Sequence, residues 1–65
     1  MPHMYILECG DGSFYVGSSW NLEFRVAQHV SGVGGAYTSK RQPVRLVYCE
    51  NFDRIDEAYA REKQV

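Results

Sequence analysis

Two tyrosines near the start of the chain, Tyr5 and Tyr15, stand ten residues apart, each inside a run rich in β-branched and aromatic residues. A phenol titrates near 10, so it takes part in proton transfer at neutral pH only with help from a cation. Arg25 offers one, and His29 follows it by four residues. A guanidinium is planar and permanently charged, which suits a phosphate and the charge that develops on it. Tyr37, Lys40 and Arg41 come next, in a polar glycine-rich connection, and Glu62 lies near the end. Each has a plainer reading. A tyrosine in a small core usually just hydrogen-bonds its hydroxyl. An Arg-x-x-x-His pair, a late glutamate and a basic loop are commonly solvated edges. Placement separates these readings from chemistry, and placement depends on the elements that carry the residues.

The runs Met4–Cys9 and Phe14–Ser18 are joined by Gly10-Asp11-Gly12-Ser13, a hairpin signal. A two-residue Asp11-Gly12 loop pairs Gly10 with Ser13 and puts the two phenols on opposite faces, because side chains alternate along a strand. A three-residue Gly10-Asp11-Gly12 loop pairs Cys9 with Ser13 and puts both phenols on one face. The three-residue loop is expected, because Gly12 suits the left-handed position of such a turn. Gly17, on the same strand as Tyr15, then leaves room for a phosphate close to the backbone.

Asn21 is a good N-cap, and a helix is expected from about Leu22 to Ser31, stopped by Gly32. Leu22, Val26, Val30 and Val33 form its apolar stripe, with Arg25 and His29 along the edge and Phe24 on the exposed side. The connection from Gly32 to Pro43 has room for a short helical turn at 35–39. Val44–Glu50 is a third strand whose near-continuous apolar run suggests the centre of a sheet. Asp53 is expected to cap a last helix from about Arg54, with Ile55, Ala58, Tyr59 and Glu62 on one face and a Glu57–Arg61 pair on the other. The expected fold is α+β: a small three-stranded antiparallel-type sheet with the Tyr5 strand central, flanked by helices, in the order β-β-α-β-α.

Sixty-five residues make one small domain. The sequence has no apolar run of membrane-spanning length and no apolar core of a signal peptide before Tyr5, which points to a cytoplasmic protein. A net charge of −1 argues against nucleic-acid binding by bulk electrostatics, though Lys40, Arg41 and Arg45 form a local basic group. Cys9 and Cys49 are too few and too far apart for a zinc site and read as two buried thiols.

Tyr5-Ile6-Leu7 followed by Tyr15-Val16-Gly17 resembles the paired motifs of the GIY-YIG nuclease family, with Met4 where the first motif has glycine. The segment from Asn21 to His29 is similar to the family's first helix, and Glu57-Ala58-Tyr59-Ala60-Arg61-Glu62-Lys63 to its second motif helix. The resemblance spans the chain and is nearer the small stand-alone bacterial members than the homing endonucleases. It implies a metal-dependent DNA endonuclease, in DNA repair or recombination. Tyr5 and Tyr15 would hold the attacking water, Arg25 would be the catalytic arginine, and His29 would contact a tyrosine. Glu62 would bind Mg²⁺ (or Mn²⁺), while Gly17, Tyr37, Lys40 and Arg41 would meet the DNA. The family's members commonly continue beyond the metal-binding glutamate with basic residues and an asparagine, so residues 1–65 are expected to be one GIY-YIG-like domain lacking its C-terminal part. The same fold could also serve as a non-catalytic nucleic-acid-binding or interaction module.

Overall fold

In the computed structural model, which describes residues 1–65, the chain forms strand β1 (His3–Glu8), strand β2 (Phe14–Ser19), helix α1 (Leu22–Val30), the short helix α2 (Ala36–Ser39), strand β3 (Arg45–Asn51) and helix α3 (Ile55–Glu62). The sheet order is β2-β1-β3, antiparallel throughout. The expected α+β class, element order and central Tyr5 strand are all present, with α2 as the anticipated helical turn. Helix α3 packs on β1 and β2, while α1 meets α2, β2 and β3.

The hairpin has the three-residue loop. The Cys9 N–H donates to the Ser13 carbonyl at 2.8 Å and the Gly12 N–H to the Cys9 carbonyl at 3.0 Å. Gly12 has φ +85°, the left-handed conformation that costs a side-chain-bearing residue about 1–2 kcal/mol. Asp11 closes the turn by accepting from the backbone N–H and hydroxyl of Ser13, and it pairs with Arg41 at 3.1 Å. In the resulting register Tyr5 lies opposite Gly17 and Leu7 opposite Tyr15. Alternation then puts both tyrosines and Gly17 on one face.

Helix α1 begins as its sequence dictates, with Asn21 Oδ1 accepting the Phe24 N–H at 3.1 Å. Its buried face is rotated from the expected stripe. His29 is fully buried and Leu22, Arg25 and Val26 are partly so, whereas Val30 is half-exposed and Val33 is 75% exposed. The helix ends at Val30, so Val33 lies beyond its periodicity. Phe24 is 62% exposed, as its position opposite Leu22 requires.

Strand β3 is an edge, not the centre. Its pairing with β1 skips a residue between Tyr48, opposite Ile6, and Leu46, opposite Leu7. The bulge at Val47 breaks the period-two alternation, and the apolar side chains of Leu46, Val47 and Tyr48 are left exposed. Edge placement also leaves Cys49 exposed while Cys9 is buried; the two thiols are free.

Helix α3 is capped from Arg54, whose N–H donates to the Glu57 carboxylate at 3.1 Å, rather than by Asp53. That use of Glu57 leaves Arg61 to Glu50 on β3, at 2.8 Å, in place of the expected Glu57–Arg61 pair. Ala58 is the buried centre of the helix's inner face, Glu62 is partly buried, and Tyr59 turns out to solvent.

Because nothing stands within 4 Å of a side chain at Gly12, the cost of substitution there is conformational alone. Gly12→Ala is expected to lower the unfolding free energy in urea by about 1–2 kcal/mol. A variant as stable as the parent would show that the hairpin does not depend on the left-handed residue.

Candidate active site

The sheet face carrying Tyr5 and Tyr15 is where α1 delivers His29. The Tyr5 hydroxyl lies 3.1 Å from His29 Nε2, with both residues buried. The tyrosine and histidine rings form a tilted cluster, with centroids 6.5 Å apart for Tyr5 and Tyr15, 5.9 Å for Tyr5 and His29, and 5.0 Å for Tyr15 and His29. Tyr5 is closed in and Tyr15 only partly so, and the Tyr15 hydroxyl makes no hydrogen bond within the chain. The outer phenol is thus free to meet a substrate while the inner one is committed to the histidine.

Gly17 makes that packing possible. A β-carbon there would fall 2.5 Å from the Tyr5 hydroxyl and 2.7 Å from its ring carbon Cζ. The space above Gly17 is therefore taken by Tyr5, and the glycine admits the phenol where the sequence suggested a phosphate.

The electrostatics follow from burial and from one cation. Burial raises the Tyr5 pKa above that of a free phenol; Tyr15 adds to the rise, hydrogen bonding and charge from Arg25 oppose it, and Glu62 adds a little. Burial lowers the His29 pKa, and the charge of Arg25 lowers it further. At neutral pH the pair is therefore a neutral phenol beside a neutral imidazole. Arg25 has a distinguishing feature among the five arginines. Arg41 pairs with Asp11, Arg45 with Glu8, Arg54 with Asp56 and Arg61 with Glu50. Arg25 has no carboxylate partner: it donates to Gln28 Oε1, at 3.0 Å, and its guanidinium also bears on the Tyr5 hydroxyl.

Glu62 comes from α3. Its Oε1 accepts the Ser18 hydroxyl at 2.8 Å, and its other oxygen has no partner in the chain. Ser18 is the strand neighbour of Gly17 and by alternation faces the other side of the sheet; Glu62 is nonetheless near enough for its charge to add a little to the rise in the Tyr5 pKa. No three His, Cys, Asp or Glu side chains gather into a ligand set. One free carboxylate oxygen, with water and phosphate completing the shell, is a donor set that suits Mg²⁺ or Mn²⁺ and not a softer metal.

Of the other expected contacts, Tyr37 packs on Tyr15 with centroids 5.8 Å apart, and the Arg41 guanidinium lies 3.8 Å over the Tyr37 ring. Arg41 is further held by Asp11 and the Tyr37 carbonyl, so its charge is partly spent inside the chain, as is that of Arg45. Lys40 is exposed and without an ion-pair partner. The structure adds residues that the sequence did not single out. Thr38 is fully buried with its hydroxyl 2.7 Å from His29 Nδ1. Gln42 donates to the carbonyls of His29 and Thr38, at 2.7 and 2.9 Å, tying α1 to α2. Their only sequence signal was position in the connection that must return over His29.

The whole of this arrangement lies in a region, residues 1–65, that matches the GIY-YIG catalytic domain. The chain belongs to the GIY-YIG family. This is a nuclease family, and the small stand-alone type expected from the sequence is the one found. A UPF0213 protein of Halobacterium salinarum is 43% identical over 65 residues, all of this chain and 84% of that protein. A UPF0213 protein of Streptococcus pneumoniae is 45% identical over 92% of this chain, which spans 61% of the pneumococcal protein's length. The solution NMR structure of a UPF0213 protein from Bacillus halodurans superposes with a TM-score of 0.57 at 42% identity, over 98% of this chain and 69% of that one. No helix of this GIY-YIG domain is long and apolar enough to cross a membrane.

The depressed pKa of His29 has a signed consequence. The unfolded chain takes up a proton near pH 6.5 that the folded chain refuses, so stability is lost as pH falls from about 7 towards 5. The lowered carboxyls of Asp11, Glu50 and Asp56 act only below that window, near the ordinary carboxylate range. Thermal melts between pH 7.5 and 5.5 are expected to show a falling Tm in the parent and a flatter profile in His29→Gln. Parallel profiles would show that His29 does not titrate with folding.

Proposed function

We propose that this chain is a divalent-metal-dependent endonuclease that hydrolyses phosphodiester bonds in DNA, of the kind that serves DNA repair or recombination. The observation that carries the reading is Arg25: the one arginine without a carboxylate lies beside the buried Tyr5–His29 pair, on the face where the Tyr15 hydroxyl is free. A structural arginine is normally neutralised. One kept free beside two phenols and a neutral histidine is suited to a phosphate.

Each side chain then has a task. Arg25 binds the scissile phosphate and offsets the charge that grows on it during attack. The Tyr15 hydroxyl orients the attacking water. Tyr5 is too weak an acid to stand as phenolate, since burial raises its pKa, so it acts as a relay. Its oxygen accepts a proton from the water while its own proton passes to Nε2 of His29, a base kept unprotonated by burial. Glu62 and the phosphate would hold Mg²⁺ or Mn²⁺, which supplies polarisation of the phosphate and stabilisation of the leaving oxygen. Lys40 and the Tyr37–Arg41 stack border this face and would meet the flanking backbone. With four arginines paired internally, DNA is held mainly at the site itself, in keeping with a net charge of −1.

Plasmid nicking with Mg²⁺ or Mn²⁺ tests the proposal. Glu62→Gln keeps an oxygen for the Ser18 hydroxyl, so the variant is expected to melt within a few degrees of the parent while nicking falls to background. Nicking at the parental rate, or a fold that melts far earlier, would remove Glu62 from the chemistry. A nucleic-acid-binding module without catalysis predicts that even the parent binds DNA and leaves it intact.

A further inference from the structure

We propose that Thr38 is a positioning residue: it fixes His29 as the Nδ1–H tautomer, so that a bare Nε2 faces the Tyr5 phenol. The inference rests on reading Tyr5 and His29 as the proton-handling pair, and it follows from counting donors and acceptors in a closed pocket. Of the groups around the Tyr5 oxygen, the Arg25 guanidinium can only donate. His29 Nε2, at 3.1 Å, is the acceptor left for the phenol proton, so Nε2 carries none. A neutral ring then has its proton on Nδ1, which lies 2.7 Å from Thr38 Oγ1. The threonine oxygen accepts that proton's hydrogen bond and turns its own hydroxyl to the Gly35 carbonyl, one helical turn back at 3.5 Å.

The chain of donors therefore runs one way: Tyr5 to His29, His29 to Thr38, Thr38 to Gly35. No buried side-chain nitrogen or oxygen is left without a partner. The opposite polarity would have Thr38 donate to Nδ1 and Nε2–H donate to the phenol, and the Tyr5 proton would then have no acceptor. Such an orphaned buried donor is destabilising. It would also block the relay, because a protonated Nε2 takes nothing from Tyr5. Gln42 holds the arrangement by donating to the main-chain carbonyls of both His29 and Thr38. The hydroxyl at position 38 is thus the acceptor that allows the Nδ1–H form to be held in a buried pocket.

The test reads the ring directly. Two-bond ¹H–¹⁵N correlation spectra of the histidine ring at pH 7.5, in a His3→Gln background that leaves one histidine, are compared for Thr38, Thr38→Ser and Thr38→Val. The expected result is an Nδ1–H ring in the parent and in T38S, and a ring shifted to Nε2–H in T38V. Nicking is expected to fall about tenfold or more in T38V, with the ~10²–10⁴ that a positioned proton-transfer group supplies as the upper bound, and to be kept in T38S. A parent ring that is Nε2–H or doubly protonated overturns the proposal, as does a T38V ring unchanged from the parent. The parent spectrum decides the matter even if T38V does not fold. A parent that shows the expected tautomer but never nicks DNA overturns the nuclease reading while leaving the Thr38 assignment standing.

Discussion

The hydrogen bond between the Tyr5 hydroxyl and His29 Nε2 is the constraint on which the rest of this small domain depends. It joins the central strand to the first helix across 24 residues, inside a core whose other large buried side chains are Met4, Leu7 and Thr38. Two polar groups in such a core are tolerable only if every donor and acceptor is matched. The matching dictates much of the sequence around them. Gly17 must lack a side chain so that the phenol can lie over β2. The hairpin must have a three-residue loop so that Tyr15 shares the face. The connection after α1 must return Thr38 to the far side of the imidazole. A 65-residue chain has little stability to spare, and it places these polar groups where a small apolar core would otherwise be.

Charge is distributed with equal economy. Four of five arginines are matched to carboxylates, three of them across the fold and Arg54 locally to Asp56, most at the surface where such pairs contribute little to stability. Their larger consequence is for recognition. They remove most of the positive potential that would draw the chain to any polyanion, and they leave Arg25 as the arginine that a phosphate can claim. In the proposed nuclease, a domain of this charge would recognise DNA through a site, not through a field.

The fold was largely legible in the sequence, and the reasons differ by element. Gly10-Asp11-Gly12 specified the loop, and the loop specified the shared face of Tyr5 and Tyr15, because strand alternation leaves no freedom once the register is set. Asn21 marked the start of α1. What could not be read was tertiary. The inward face of α1 centres on His29 because a partner phenol awaits it, which no helical wheel records, and the apolar wheel followed Val30 and Val33 instead. The apolar run of β3 read as a central strand, yet it lies at an edge with Leu46, Val47 and Tyr48 exposed. Glu57 and Arg61 each had a stronger partner elsewhere, at the helix start and on β3. Among the candidate site residues, Tyr5, Tyr15, Arg25 and His29 converge, with Glu62 one strand residue away. Gly17 is present for packing, and Thr38 was invisible because a threonine in a glycine-rich turn has no signature until the imidazole beside it is located.

In the proposed mechanism Tyr5 and His29 act as one unit in the chemistry, as they do in the core. A double-mutant cycle on nicking rate, with Tyr5→Phe, His29→Gln and both together, measures that coupling directly, with thermal melts to confirm that each protein is folded. If the two residues form one relay, breaking it at either end loses the whole effect, and the double variant nicks no more slowly than the slower single variant. Rate losses that multiply, with the double variant slower by the product of the two single effects, would show two independent contributions and contradict the relay.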